Sequence, residues 1–263
     1  MRKLGILGLG HMGMAIAKGA VTYVDPSEIA VYDRHAEKLE TAASLGIKTA
    51  SSPQQLCEEA ELIVIAVRPQ NFEETIQQLR EGKPRAVLSV IAGMPMSRFT
   101  DVLGNIPVIR AMPNTPLQEK EGATALCHNE YCSEELFQWA IDLFASMGCA
   151  YAITEEQMCT IIAVNGSSPA YFYYLIECML KDAVNRGIDE TVARELLVQT
   201  MIGSGTLLKK QPEKPVHQFV DEVCSKGGTT IEAITVMKEN DLEAIIQKAD
   251  EACIRRAEEL GKN

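Results

Sequence analysis

The first half of the chain alternates short, wholly apolar or β-branched runs with stretches of helical periodicity. The runs are Leu4-Gly5-Ile6-Leu7, Ile29-Ala30-Val31-Tyr32, residues 62–67, residues 86–90 and Val108-Ile109. Side chains apolar on both faces suit strands buried between two layers, as in a parallel sheet. Successive runs lie roughly 20–30 residues apart, room for one crossover helix each, so the pattern predicts repeated βαβ units and a doubly wound α/β domain. Two further candidate strands, 123–127 and 149–153, flank a helix starting near Ser133 and carry the sheet to about residue 153.

From Thr154 onward no run reads as a strand. Thr154-Glu155-Glu156-Gln157 has the capping-box pattern, Thr at N-cap and Gln at N3. It predicts one long helix through about 155–185, ending near Gly187, with Asp189 capping a second helix to about residue 208. Residues 209–215 hold two prolines and read as a loop; a short helix, a turn at Lys226-Gly227-Gly228 and helices from Thr229 to the end follow. The expected organisation is a doubly wound domain over 1–153 and an all-helical domain over 154–263.

Of 263 residues, 46% are apolar and 23% charged, which is ordinary globular composition and excludes a disordered chain. The net charge is −11 and no Lys/Arg run supplies a basic face, so a nucleic-acid partner is not expected. No segment approaches the roughly 18 uninterrupted apolar residues of a membrane span, and the N-terminus leads straight into a strand and not into a signal peptide's apolar stretch. A soluble, cytoplasmic protein is the expectation. The eight cysteines are scattered without CxxC spacing and mostly sit in apolar runs, so they read as reduced thiols. The four histidines share no ligand spacing, and no metal is expected.

Gly8-Leu9-Gly10-His11-Met12-Gly13 is GxGxxG placed directly after a strand and opening a helix. The first glycine permits the tight turn, the second lets the backbone approach a pyrophosphate, and the third allows close packing of helix on strand. His11 and Met12 complete the helix start. The second strand leads into Asp33, twenty residues after Gly13, placed to accept hydrogen bonds from an adenosine ribose. Repulsion between Asp33 and a 2′-phosphate at 4 Å would be about 1 kcal/mol in water and up to about 4 near a protein surface. That leans to NADH over NADPH, while Arg34 pulls the other way through a guanidinium–phosphate pair. Val67, Arg68 and Pro69 follow the next strand, Ala92 and Gly93 the one after, and Asn114 the strand ending near Arg110; all sit where a doubly wound sheet places ligands.

In the helical half, two polar, glycine-bearing segments interrupt apolar helices: Asn165-Gly166-Ser167-Ser168-Pro169-Ala170-Tyr171 and Ser225-Lys226-Gly227-Gly228-Thr229-Thr230. Two glycines leading into Thr-Thr at a helix start present free N–H groups and hydroxyls, an arrangement suited to the carboxylate of a small anionic substrate.

These segments, with Ala66-Val67-Arg68-Pro69 and Arg110-Ala111-Met112-Pro113-Asn114-Thr115-Pro116, resemble the pyrroline-5-carboxylate reductase family along the whole chain and in order. The resemblance implies reduction of 1-pyrroline-5-carboxylate to proline by NADPH or NADH. It also implies a Rossmann domain joined to a helical domain that builds a homodimer, and dimers that associate further, up to rings of five. On this reading Ser225 and the N–H groups of Gly227, Gly228 and Thr229 take the substrate carboxylate. Asn165, Gly166 and Ser167 belong to the substrate segment, and Thr230 is the catalytic hydroxyl at the ring nitrogen. A protonated cyclic imine is already electrophilic, so hydride transfer needs orientation more than a strong acid. The chain departs from the family pattern at Cys159 and Ile162, where an acid and a Thr are usual. Asn165 and Ser168 stand for Ser and Gly, Lys226 for Pro, and Arg68 for Lys.

Two other readings stand beside it. A β-hydroxyacid dehydrogenase shares the two-domain plan but places a catalytic Lys four residues before an Asn, where this chain has Ile161 before Asn165. A non-catalytic dinucleotide-binding regulatory paralogue would not need the 227–230 turn.

Overall fold

The computed structural model describes residues 3–262. Eight strands form one sheet: β1 Leu4–Leu7, β2 Ile29–Tyr32, β3 Lys48–Thr49, β4 Leu62–Ile65, β5 Val87–Ser89, β6 Val108–Met112, β7 Gly122–His128 and β8 Gly148–Ala152. Their order is β3-β2-β1-β4-β5-β6-β7-β8. The first six strands run parallel; β7 is antiparallel to β6, and β8 is parallel to β7. Chain order reverses between β1 and β4, the switch point at which such sheets bind ligands.

The two-faced apolar runs are explained by the layers they separate. On β1 and β4, Leu4, Ile6, Leu62 and Val64 join one core with Ile16 of α1 (His11–Ala20) and Phe144 of α6 (Glu134–Ala145). Leu7, Ile63 and Ile65 face the other core, built with Leu56 of α3 (Pro53–Glu59), Phe72 of α4 (Phe72–Gly82) and Phe99 of α5 (Met96–Leu103). One further helix, α2 (Ala36–Ala43), follows β2. Seven of the strands coincide with the apolar runs. The eighth, β3, is two exposed residues long and carries no apolar signal; its neighbour's N–H, Ala50, bonds the Val31 carbonyl at 2.8 Å.

After β8 the chain is helical. Thr154 and Gln157 form the expected capping box, with the Thr154 N–H donating to Gln157 Oε1 at 3.0 Å. The long helix is not uniform. A 3₁₀ turn (Glu155–Gln157) and α7 (Met158–Ile161) lead into a π turn (Ile162–Ser167), followed by α8 (Ser168–Asn185). Pro169 supplies the reason: it has no N–H to return to the Asn165 carbonyl, and a wider turn absorbs the missing bond. Asp189 caps α9 (Glu190–Lys210) by accepting the Val192 N–H at 3.1 Å. This helix runs through residues 209 and 210, which were expected in the loop. Then come α10 (Val216–Val223), α11 (Thr229–Glu239) and α12 (Leu242–Lys262).

The chain forms two compact units, 1–169 with 252–263, and 170–251. The first holds the sheet and both cores. The second is all helix, with Ala193 the one buried apolar residue there. No helix among the described residues is long and apolar enough to cross a membrane.

Candidate active site

The glycine loop divides its work among three positions. Gly8 leaves β1 with φ +94°, and a Cβ there would lie 2.8 Å from the Ala66 carbonyl oxygen, so the loops after β1 and β4 touch only because this residue is glycine. At Gly13 a Cβ would run into the Gly8 carbonyl. Gly10 differs: it is exposed, and nothing lies within 4 Å of where its Cβ would be. The Gly8 N–H donates to the Tyr32 carbonyl (2.8 Å) and the Leu9 N–H to Asp33 Oδ2 (2.7 Å). Gly10 caps α1 with no side-chain bond, so the N–H groups of His11, Met12 and Gly13 have no partner inside the helix. Free donors beside an open, Cβ-less space fit a dinucleotide pyrophosphate.

Asp33 does more than its place at the strand end suggested. It is 8% exposed, and its two oxygens hold the Leu9 N–H, the His35 N–H (2.9 Å) and His35 Nδ1 (2.7 Å). Burial raises its pKa, but these bonds and the Lys38 charge outweigh it, and the net shift is downward. The stability this ionised group contributes is therefore present above its unfolded value and lost as pH falls through the lower folded one. Asp33 is thus the clasp that closes the glycine loop. Arg34 is exposed beside it, with Lys38 half-buried.

The other strand ends are also at the same edge. Val67 and Pro69 are half-buried and Arg68 exposed. Ala92 is half-buried, whereas Gly93 is buried with φ +76°, and a Cβ on it would collide with the Ala257 carbonyl of α12. Gly93 is thus glycine to seat the C-terminal helix against the loop. Asn114 is buried, and its side-chain oxygen accepts the Ala123 N–H at 2.9 Å, so it braces β7. Asn165 reaches the same place: its Nδ2 donates to the carbonyls of Met112 and Ala123, both at 2.8 Å. Gly166 lies against Met112, with a Cβ there 3.4 Å from the sulfur, and Ser167 Oγ contacts Cys253 Sγ at 3.2 Å.

In the second unit, Ser225-Lys226-Gly227-Gly228 is a tight turn with Gly227 at φ +73°. The Gly228 N–H closes it onto the Ser225 carbonyl at 2.9 Å. That corrects the expectation that all three N–H groups of 227–229 are open to an anion, because a β-turn consumes its fourth donor. Gly228 is the N-cap of α11 and provides no side-chain cap, which leaves the N–H groups of Thr229, Thr230 and Ile231 unpaired within the helix. Thr229 is exposed and Thr230 half-buried.

Sequence reading missed a buried ion pair. Arg110, 4% exposed, donates from Nη1 to Glu155 Oε1 at 2.9 Å, and the same oxygen accepts the Met96 N–H at 2.7 Å. The partners are 45 residues apart, and no local spacing announces them. A groove of about 600 Å³ lined by Met96, His128, Tyr131 and Glu155 lies near the carboxyl end of β7, and it contains none of the candidate ligand residues. The described residues include no group of three His, Cys, Asp or Glu able to hold a metal.

A switch-point glycine loop with free helix-start donors, on a doubly wound sheet followed by helices, defines the class of Rossmann-type dinucleotide-binding proteins. Residues 155–260 match the family model for pyrroline-5-carboxylate reductase dimerisation, and residues 3–93 that for NADP oxidoreductase, coenzyme F420-dependent. A pyrroline-5-carboxylate reductase of Vibrio alginolyticus is 32% identical over 99% of this chain and 98% of its own. Among solved structures, the 1-pyrroline-5-carboxylate reductase of Streptococcus pyogenes is 33% identical, covers 98% of both chains and superposes with a TM-score of 0.88. The Plasmodium falciparum pyrroline carboxylate reductase with NADP bound is 27% identical with a TM-score of 0.90, covering 99% of this chain and 98% of that one. The chain belongs to the pyrroline-5-carboxylate reductase family.

Proposed function

We propose that the protein reduces the C=N bond of 1-pyrroline-5-carboxylate to L-proline with a pyridine nucleotide. The observation that carries the reading is that one chain holds both a dinucleotide loop at 8–13 with open space at Gly10 and, separately, an uncapped, glycine-led helix start at 228–231. The full-length family match supports it. Neither rival is favoured: the dehydrogenase's Lys is Ile161 here, and the anion turn of the reductase is retained. We read 1–153 as the nucleotide domain and 154–263 as the substrate and dimerisation domain, in keeping with the dimerisation match on 155–260.

The cofactor supplies a hydride. The chain's part is to bind and orient. Gly8, Gly10, His11, Met12 and Gly13 hold the pyrophosphate; Val67, Arg68, Pro69, Ala92, Gly93 and Asn114 shape the rest of the cleft edge. Ser225, Gly227 and Thr229 bind the substrate carboxylate, with Gly228 fixing the turn and Gly166 and Ser167 in the substrate segment. The substrate's ring nitrogen is protonated before the reaction, so hydride addition at the imine carbon yields the neutral amine directly. Thr230 holds that nitrogen through its hydroxyl. Between the two nucleotides, Asp33 is spent on the loop clasp and its charge is largely buried, which weakens the NADH lean; exposed Arg34 offers a 2′-phosphate a bidentate partner.

The test is consumption of NADPH and NADH with pyrroline-5-carboxylate at neutral pH. Turnover is expected with both; none with either sinks the proposal. Thr230→Val should lower kcat about 10²-fold with nucleotide affinity unchanged. Arg34→Ala should raise the KM for NADPH more than that for NADH, and an equal effect would remove Arg34 from the 2′ site.

A further inference from the structure

The ladder between β6 and β7 ends at Met112↔Ala125, and the next position of the chain that would face β7 is Asn114, opposite Ala123. Two asparagine side chains finish the edge instead. Asn114 Oδ1 accepts the Ala123 N–H, and Asn165 Nδ2 gives one proton each to the carbonyls of Met112 and Ala123. Both amide protons of Asn165 are therefore committed to fixed backbone oxygens, which settles the orientation of the amide: flipped, its oxygen would face two carbonyl oxygens. What is left over is Oδ1. Asn165 is 8% exposed, and its Oδ1 is a buried acceptor with no hydrogen-bond partner.

Two other buried side-chain atoms share that state, and neither has its position. Arg110 Nη2 belongs to a guanidinium already paired with Glu155. Thr124 Oγ1 lies on the sheet face of Leu126, opposite that of Cys127, by the two-residue alternation of β7. Asn165 stands at the carboxyl end of β6, the sheet edge to which the loops after β1, β4 and β5 also belong, and reaches it from outside the sheet through the carbonyls of Met112 and Ala123. It does so within the π turn at 162–167, a widening of the helix that recurs at functional sites. A buried acceptor left open in a native protein calls for a donor. In a doubly wound sheet the strands beyond the switch point, here β4 to β6, serve the second half of a dinucleotide. The group with spare N–H donors at that end is the nicotinamide carboxamide.

Resting on the pyridine-nucleotide reading above, we propose that Asn165 Oδ1 accepts a hydrogen bond from the carboxamide N–H₂ of the nicotinamide. Asn165 thereby fixes the ring's orientation and, through the two carbonyls it holds, the β6–β7 edge behind it.

The experiment is isothermal titration calorimetry of the whole protein, without substrate, using three ligands: NADH, its reduced 3-acetylpyridine analogue, in which a methyl replaces the amide NH₂, and ADP-ribose, which lacks the ring. The wild type should bind NADH about tenfold more tightly than the acetyl analogue, the worth of one hydrogen bond. Asn165→Ala and Asn165→Ser should abolish that preference and leave ADP-ribose affinity unchanged. Equal wild-type affinity for NADH and the analogue overturns the proposal with no variant needed. So does a preference that survives in both variants, or a loss that extends to ADP-ribose, which would make Asn165 a structural clamp only. If ADP-ribose and NADH both fail to bind the wild type, the nucleotide reading itself has failed, an outcome distinct from loss of carboxamide discrimination.

Discussion

Gly10 and Gly13 stand three residues apart in one motif and are glycine for opposite reasons. Gly13 has the Gly8 carbonyl where its Cβ would be, so the protein itself forbids a side chain there. Gly10 has open space and an ordinary extended backbone, φ −68° and ψ −171°, so nothing in the protein forbids one, and on the proposed reading the pyrophosphate does. Gly13→Ala should destabilise the fold by about 2 kcal/mol through overpacking. Gly10→Ala should melt like the wild type and bind NADH at least tenfold more weakly by calorimetry. A Gly10→Ala variant of full affinity would mean that the pyrophosphate does not approach this backbone. The motif made these roles legible because glycine spacing encodes steric need. Asp33 was legible only by half: its place at the strand end was visible, but the Leu9 N–H it clasps is a backbone group 24 residues away, which no side-chain pattern reports. The His35 bond was within reach, since an acid two residues before a donor is a common local turn.

At the scale of elements, strands buried on both faces announce themselves, whereas β3, with exposed Lys48 and Thr49, has nothing to announce. The interruption of the long helix was readable from Gly166 and Pro169, but not the contacts that Asn165 makes from the wider turn, because its partners Met112 and Ala123 lie 53 and 42 residues away. The start of the helical region is tied down by Glu155, whose one oxygen receives both the Arg110 guanidinium of β6 and the Met96 N–H at the head of α5. Glu155→Ala leaves a guanidinium buried without its counter-ion. The expected cost is about 2 kcal/mol by chemical denaturation, less than the 3–5 kcal/mol of a fully buried pair, because Glu155 is 34% exposed. Glu155→Gln keeps an acceptor for both donors and should cost clearly less. If the two variants match the wild type, this junction does not hold the elements together.

For the whole molecule, the net charge of −11 sets a field that opposes an anionic cofactor and an anionic substrate alike. Attraction must be local, which is why both candidate anion sites are backbone N–H groups at helix starts and not lysine clusters. The second compact unit poses the other whole-molecule problem. Its α9 buries one residue, Ala193, and α10 and α11 bury none, while Tyr174, Leu196, Ile202 and Ile245 are each more than half exposed. Helices need an apolar face covered to be worth forming, and a single protomer does not cover these. A second copy of the chain is the occupant to which the dimerisation match on 155–260 points. Leu196→Glu places a charge on that face at 63% exposure in the protomer. It should halve the mass seen by light scattering or leave the dimer weaker by about 2 kcal/mol per substituted side chain, with melting that becomes concentration-dependent. An unchanged mass and melting temperature at micromolar protein would show that Leu196 faces water in the assembly, and would move the interface to the opposite side of α9.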